Sequence, residues 1–445
     1  MLTVQEQIYG LSQIWCEAKY NFVFWNQRKN IDWDSEYQKS LRIVSKPMEI
    51  IDYYLELMRF ISLLNDGHTH VDFPKEIYKQ IKSLPIKIKY SDNKHFISNV
   101  ADGYDIPLLC EILEINGENF DKYMNEKILP YCWNINKLSS YEHIYSLENI
   151  PRDADKNAYG FIPIIERNKP IKIKTTSGTF EITPDDKEHK WSAPTNLKCR
   201  EKLSIIFDSE SFSIQISKDN IAIITIKTFM DDDMPNNFYK SANQLSDVKG
   251  FIIDIRNNGG GHSSNAEMLS QAFIKGELQC GKVKHAKYIG AYKAWAFDED
   301  IETLDLSNEF NKKIYDICNQ NLFEEHTEKY FDPDCPITFD QPVVILENSG
   351  TGSSSENMLL IFDNANRATI VGTPSYGTTG NPLFVPLPGN GMARICTRRY
   401  TYPNDKEFIN IGIQPHIYAE LSLNDLITGT DSVLDKGLSI LRSMK

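Results

Sequence analysis

Apolar residues recur at three- and four-residue steps between Met48 and Phe60, with Ile51, Tyr54, Leu55 and Met58 on one helical face. Pro47 suits the first turn of that helix, and Asn65-Asp66-Gly67-His68-Thr69-His70 ends it in a turn-forming cluster. Residues 1 to about 72 read as helical. From about 75 to 195 the period shortens to two. Ile86-Lys87-Ile88-Lys89-Tyr90 alternates, Glu111–Glu118 runs into an Asn116-Gly117 turn, and Ile171–Thr175 pairs with Thr179–Ile182 around Ser177-Gly178. Beyond about 210, near-continuous apolar strands appear at Ile221–Ile226, Phe251–Ile255, Pro342–Leu346 and Ala368–Val371, as in a sheet covered on both faces. Helical stretches at about 264–275, 308–319 and 356–364 separate or follow them. The pattern predicts an α/β multidomain chain: a helical domain at 1–74, a small β-rich module at 75–195 and an α/β core at 196–445.

Composition narrows the function. The chain has 445 residues, 41% hydrophobic and 24% charged, inside the ordinary globular range. With 48 basic against 61 acidic residues the net charge is −13, which gives no electrostatic case for nucleic acid or an anionic membrane as partner. No apolar run approaches the roughly 18 residues of a membrane span, and the start lacks a basic-then-apolar leader. Eight scattered cysteines without a C-x-x-C pair suggest reduced, mostly buried thiols in a cytoplasmic protein.

Small residues concentrate at two strand-to-helix junctions. In the first, Asp254-Ile255-Arg256-Asn257-Asn258-Gly259-Gly260-Gly261 leads toward a helix expected to open at Ser264, with Ser264 and Glu267 spaced as a capping box. Glycines there turn the chain sharply and leave N–H groups to face an anion, although a plain tight connection explains the segment equally well. A P-loop lacks its Lys-Ser/Thr end, and Ser264 occupies the third glycine position of a dinucleotide fingerprint. The second junction is Glu347-Asn348-Ser349-Gly350-Thr351-Gly352-Ser353-Ser354-Ser355-Glu356. A serine on such a bend sits at a helix N-terminus whose N–H groups stabilise an oxyanion, the mechanics of a nucleophile elbow without its literal G-x-S-x-G string. Ordinary helix capping is the rival explanation.

His68 lies in the turn after the helix, with His70 two positions on. A His-x-His pair can ligate metal, but no further ligand cluster accompanies it, so no metal is expected. His95, His143, His189, His285 and His326 fall in polar stretches and are expected at the surface.

Taken in order, FIIDIRNNGGG, ENSGTGSSSENMLLIFDNANRATIVGTPSYGTTG and NIGIQPHI resemble the C-terminal-processing (tail-specific) serine peptidase superfamily. The nearer likeness is to its tricorn-core and interphotoreceptor-retinoid-binding branch. The resemblance spans about 210–420, while LLNDGHTHV looks like the turn carrying the histidine of tricorn-like members and ILEINGEN like the end of a PDZ-like module. It implies a crotonase/ClpP-like α/β peptidase core and a PDZ-like β-rich module. Carried over by position, Ser353 is the nucleophile, three before Glu356, and the Ser354 and Gly260 amides form the oxyanion hole. The Ser-Lys branch places its lysine directly after Ser/Thr-Phe/Tyr-Gly, and here Ser375-Tyr376-Gly377 is followed by Thr378. Threonine is no base near pH 7, which leaves His68, with an unperturbed pKa of about 6.5, as the base.

The tricorn pattern has a serine before this histidine, where Gly67 stands, and a late glutamate three before the glycine, where Ile409 stands before Gly412. Glu407, two residues earlier, is the expected third member on the same strand face, with Asp66 as its rival. The resulting expectation is a serine peptidase acting on peptides or unfolded polypeptides, without metal or cofactor, with oligomerisation possible. The alternatives are a non-catalytic peptide- or lipophile-binding protein on the same scaffold and, more distantly, an acyl-CoA enzyme.

Overall fold

The computed structural model describes residues 2–132, 158–193, 197–297 and 299–444; His143 lies outside them. The chain divides into two compact units, each discontinuous in sequence. Met1–Ile77, Lys282–Glu328 and Thr379–Ile409 form one, and Tyr78–Gly281, Lys329–Thr378 and Asn410–Lys445 form the other. The contiguous boundaries at 74 and 195 therefore do not describe how the chain clusters.

The larger unit is built on a seven-stranded sheet among the described residues, in the order Ile417–Tyr418, Ala368–Gly372, Val343–Glu347, Gly250–Asp254, Ile221–Ile226, Phe212–Ile216 and Ser204–Asp208. The first five run parallel and the last two complete the sheet antiparallel. The apolar runs are explained by burial on both faces. On one, Ile223, Ile252, Val344 and Leu346 pack against Val433, Leu434, Leu438 and Leu441 of the helix Ser432–Ser443. Gly437 lets that helix approach, since a Cβ there would stand 3.2 Å from Leu346 and 3.3 Å from Ile252. On the other face, Phe273 meets Phe251 at 5.1 Å and Phe362 at 5.9 Å between ring centres. Two antiparallel sheets make up the smaller β-rich part of this unit: Ile86–Ser91, Lys94–Ala101 and Trp191–Ser192 in one, and four strands ordered Glu118–Asn119, Ile112–Ile115, Ile171–Thr175 and Gly178–Ile182 in the other. His95, expected at the surface, is buried there between the Tyr159 hydroxyl (2.8 Å) and Asp121 (3.1 Å). Residues 95–97 of this strand are buried in succession, so alternation does not expose it, and its two polar partners offset the cost of burial.

In the other unit, helices Val4–Asn21, Trp33–Val44 and Ile50–Ser62 pack through Trp33 stacked on Phe60 at 4.0 Å. The last begins after the N-cap Glu49, so Pro47 falls outside it. His70–Asp72 pairs antiparallel with Gly391–Cys396, which pairs with Pro382–Leu387. That long-range pairing groups 379–409 with the N-terminal helices. The strands Leu278–Ala286 and Arg398–Thr401 also pair, a match that Lys282-Val283-Lys284-His285 conceals behind its charges.

Candidate active site

The strand Val343–Glu347 ends in a loop that delivers Ser353 to the start of the helix Ser354–Asn364. Residues 354–362 of this helix are all buried, as are Thr351 and Gly352, while Ser353 keeps partial exposure. Its backbone stands at φ +54°, ψ −123°. That region costs a non-glycine residue about 1–3 kcal/mol and persists only where the surroundings over-determine it. Here they do. The Ser353 N–H donates to the Thr378 carbonyl at 2.9 Å and to Glu356 Oε2 at 3.2 Å. Glu356, fully buried, also accepts from Ser375 Oγ (2.6 Å), Gly377 N–H (2.6 Å) and Thr378 N–H (2.8 Å). The late segment closes the same knot: Ile413 N–H donates to Ser375 Oγ and Asn410 N–H to the Gly377 carbonyl, both at 2.7 Å. The Ser-x-x-Glu pattern is thus a clamp that holds the serine by its own backbone.

The glycine turn lies directly against this bend. A Cβ on Gly260 (φ +106°) would fall 2.6 Å from Ser353 Cβ, and one on Gly261 (φ +143°) 2.3 Å from the Phe229 carbonyl carbon. Only glycine allows the two turns to approach this closely. Ser354 Oγ donates to the Gly261 carbonyl at 2.6 Å and ties them together. The Gly260 N–H, expected to face an oxyanion, donates to Asn258 Oδ1 at 2.9 Å. Among the described residues, neither the Ser354 nor the Gly261 N–H donates to a protein acceptor. The helix beyond starts at Ser263 with His262 as an uncapped N-cap, so Ser264 lies inside it and caps nothing.

His68 belongs to the other unit, and its turn is held by charge. Asp66 Oδ2 accepts from the His68 N–H (3.2 Å) and Thr69 Oγ1 (2.6 Å), and Arg28 donates to the Leu64 and Asn65 carbonyls. Burial pushes the Asp66 carboxyl up to about 6, against its hydrogen bonds to Thr69 and His68. Burial, then the charges of His70 and Arg394, push the half-buried His68 imidazole down to about 4. His70 sits 3.4 Å from Asp72, which Arg394 also holds at 2.9 Å. Among the described residues no group of three or more His, Cys, Asp or Glu is placed to hold a metal ion. Glu407 lies in the same unit as His68, in a loop and not on the expected strand, and Arg399 grips its carboxylate at 2.5 and 3.3 Å. Ser353, Ser354 and Gly260 are thus brought together within one unit, and His68 and Glu407 belong to the other.

Residues 220–419 match the family model described as Peptidase family S41. That segment is similar to the S41 peptidases. The chain is similar to a carboxy-terminal-processing protease of Bartonella bacilliformis, 26% identical over 211 residues, which are 47% of this chain and 40% of that protein. It is also similar to a carboxyl-terminal-processing protease of Synechocystis sp., 22% identical over 59% of this chain and 58% of that one. The chain therefore spans roughly two- to three-fifths of the length of these relatives. The fold extends beyond the matched segment. Mature CPAF superimposes over 99% of both chains with a TM-score of 0.67 at 17% identity, and the mixed α/β multidomain architecture is the shared feature.

Two motif residues of the matched segment prove to be structural. Arg256 forks between Asp254 (2.6 Å) and Asp431 (2.7 Å), which hold its guanidinium charged, and Asp431 caps the C-terminal helix. Asn258, fully buried, accepts from Gly260 N–H, donates to the Ile226 carbonyl and takes the Gly352 N–H on its own carbonyl. It joins both turns to the sheet, and its Asn identity within the first motif was the available signal. Glu347 gave none. It is a fully buried carboxyl whose two oxygens have no hydrogen-bond partner among the described residues, and burial, then Glu356 and Asp363, raise its pKa well above the ordinary carboxylate range.

Proposed function

We propose that this chain is a serine peptidase in which Ser353 attacks the scissile carbonyl. The observation that carries the reading is the Ser353 backbone at φ +54°, ψ −123°, held by the Glu356 carboxylate at the head of a buried helix. A serine needed only as a cap has no reason to occupy a strained conformation, whereas a nucleophile presented on an elbow does. Ser353 Oγ bonds to the carbonyl carbon as its proton passes to His68. The tetrahedral intermediate then expels the leaving amine, which takes that proton, and water hydrolyses the acyl-enzyme by the same steps. The Ser354 N–H keeps its assigned role at the oxyanion. Gly261 supplies the second N–H in this reading, because that of Gly260 is committed to Asn258. Gly260 contributes by its missing side chain. Asp66 positions the His68 turn through the backbone, and Glu407 is the other candidate for the third member.

The substrate in this reading is a polypeptide. The β-rich part of the larger unit acts as the PDZ-like module, with Gly178–Ile182 at the edge of its described sheet available to pair with an added strand. A reducing compartment suits the eight scattered cysteines, and the cytoplasm is the proposed location. A fluorophosphonate probe tests the core of the reading. It should label wild type on Ser353 and leave Ser353→Ala unlabelled; equal labelling of both, or of neither while both are folded, would favour the binding-protein alternative.

A further inference from the structure

Four parallel strands of the larger unit's main sheet end around one cavity of about 430 Å³. Arg256 stands two residues past the end of Gly250–Asp254, and Glu347 is the last residue of Val343–Glu347. Thr373 follows Ala368–Gly372, and Ala419 follows Ile417–Tyr418. The strand Ile86–Ser91 of the β-rich part closes another side with Lys89 and Ser91, two positions apart and therefore on one face. The carboxyl edge of a parallel sheet is where α/β folds receive ligands, and the volume is that of a small-molecule pocket.

Its walls carry polar atoms that the protein itself leaves unanswered. Glu347 is fully buried, with Ser91 only 3% and Thr373 5% exposed. Among the described residues, both Glu347 oxygens, Ser91 Oγ and Thr373 Oγ1 have no hydrogen-bond partner. A single orphan is a local cost, but orphans from three chain segments lining one space share a function. A carboxylate only accepts and a hydroxyl can accept, so their complement is a positive group with several donors. A primary ammonium has three N–H donors, one for each of the three side chains. It also replaces the proton that burial, then Glu356 and Asp363, otherwise drive onto Glu347.

The opposite pole is Lys89. Arg256 is already held by Asp254 and Asp431, and exposed Glu420 at the mouth accepts from the Tyr418 hydroxyl at 2.7 Å. Half-buried Lys89 has no acidic partner among the described residues, which leaves it for a carboxylate from outside. Between the poles, Ala419, Leu421 and Val433 offer apolar wall. A plain alkylamine would leave Lys89 unanswered, a plain carboxylate would leave Glu347, and an inorganic cation would leave both Lys89 and the apolar wall.

We propose that this cavity binds a small zwitterion of the amino-acid type with an apolar side chain, its ammonium on Glu347, Thr373 and Ser91 and its carboxylate toward Lys89. The buried acceptors supply the specificity, because a ligand without the ammonium leaves them unpaired.

Isothermal titration calorimetry of the full chain tests this and reads no cleavage, so it stands or falls apart from the peptidase reading. Leucine should bind with a dissociation constant of about 1 mM or tighter, within reach of a ligand of its size. Leucinamide, without the carboxylate, and isocaproate, without the ammonium, should each bind at least about fivefold more weakly. Glu347→Gln should weaken leucine at least about tenfold, and Thr373→Val, which keeps the carboxylate, about threefold. Lys89→Met should weaken leucine about fivefold and leave leucinamide unchanged, a pattern that a general disturbance of the fold does not produce. Leucyl-alanine titrated beside leucine separates a short peptide from a free amino acid as the source of the zwitterion. Failure of both to bind at ~20 mM overturns the proposal. So does leucine binding indifferent to Glu347→Gln, or leucinamide or isocaproate binding as tightly as leucine.

Discussion

The sheet of the larger unit sends two parallel strands into two turns, and each turn opens a helix. The glycine turn after Asp254 reaches most of its geometry with residues that have no side chain, Gly260 at φ +106° and Gly261 at φ +143°, beside Asn257 at φ +60°, and its helix begins uncapped. The serine turn after Glu347 places a side chain at φ +54° and ties it down with a buried carboxylate that accepts from Ser353, Ser375, Gly377 and Thr378. Permissive backbone needs little support, whereas a strained residue that must keep its hydroxyl needs a dedicated clamp. The difference separates a turn that makes room from a turn that presents a nucleophile.

The comparison breaks most sharply at Ser353 itself. Ser353→Ala keeps the fold and should lower peptide cleavage by at least about 10³-fold, the scale of removing a nucleophile; a smaller loss would move the chemistry elsewhere. Next comes the clamp. Glu356→Ala strands the Gly377 and Thr378 amides and the Ser375 hydroxyl in a dry site, at about 3–5 kcal/mol, so both the melting temperature and fluorophosphonate labelling should fall. Labelling at the wild-type rate in that variant would show that the serine holds its own geometry.

A third test uses pH. Glu347 lies beneath the clamp with a raised pKa, so between about pH 4.5 and that higher value the folded state keeps a proton the unfolded chain has lost. Its contribution to stability therefore falls as pH rises. Glu347→Gln does not titrate, and its unfolding constant should improve relative to wild type by about tenfold per pH unit over that window. Parallel stability curves from pH 5 to 8 would refute the assignment. His68 runs the other way. Its depressed folded-state pKa means that the stability it allows is complete above about 6.5 and lost as pH falls toward about 4, and histidine-selective NMR should place its protonation near 4. The smallest effect is the most specific: Ser353→Gly should abolish labelling while raising stability by about 1 kcal/mol through released strain, and Gly260→Ser, its mirror in the other turn, should only destabilise.

Much of this was written in the local pattern. The helix at 50–62, the strands at 86–91, 171–175, 221–226 and 343–347, and the serine ahead of Ser-x-x-Glu follow from periodicity and spacing, because side-chain period and turn chemistry are short-range properties. The strands Pro382–Leu387 and Gly391–Cys396 pair with each other, but what joins them to the N-terminal helices was hidden, since His70–Asp72, the other partner of Gly391–Cys396, lies more than three hundred residues away in register with Met392–Arg394. Glu407 carried the right charge in a promising place, but Arg399 takes its carboxylate, and no pattern along the chain specifies such a pair.

The sequence by itself determined which residues could do chemistry: Ser353 on a bend, glycines beside it, a histidine in a turn and a threonine where a lysine would otherwise stand. Tertiary structure alone decided which atoms remain available for it. Gly260 offered an amide by sequence and gives it to Asn258, while Ser354 and Gly261 keep theirs. The physical reason is that each buried donor must find its acceptor: Asn258 lies only two residues before Gly260, but the neighbouring strand orients its side chain by accepting from its amide at the Ile226 carbonyl.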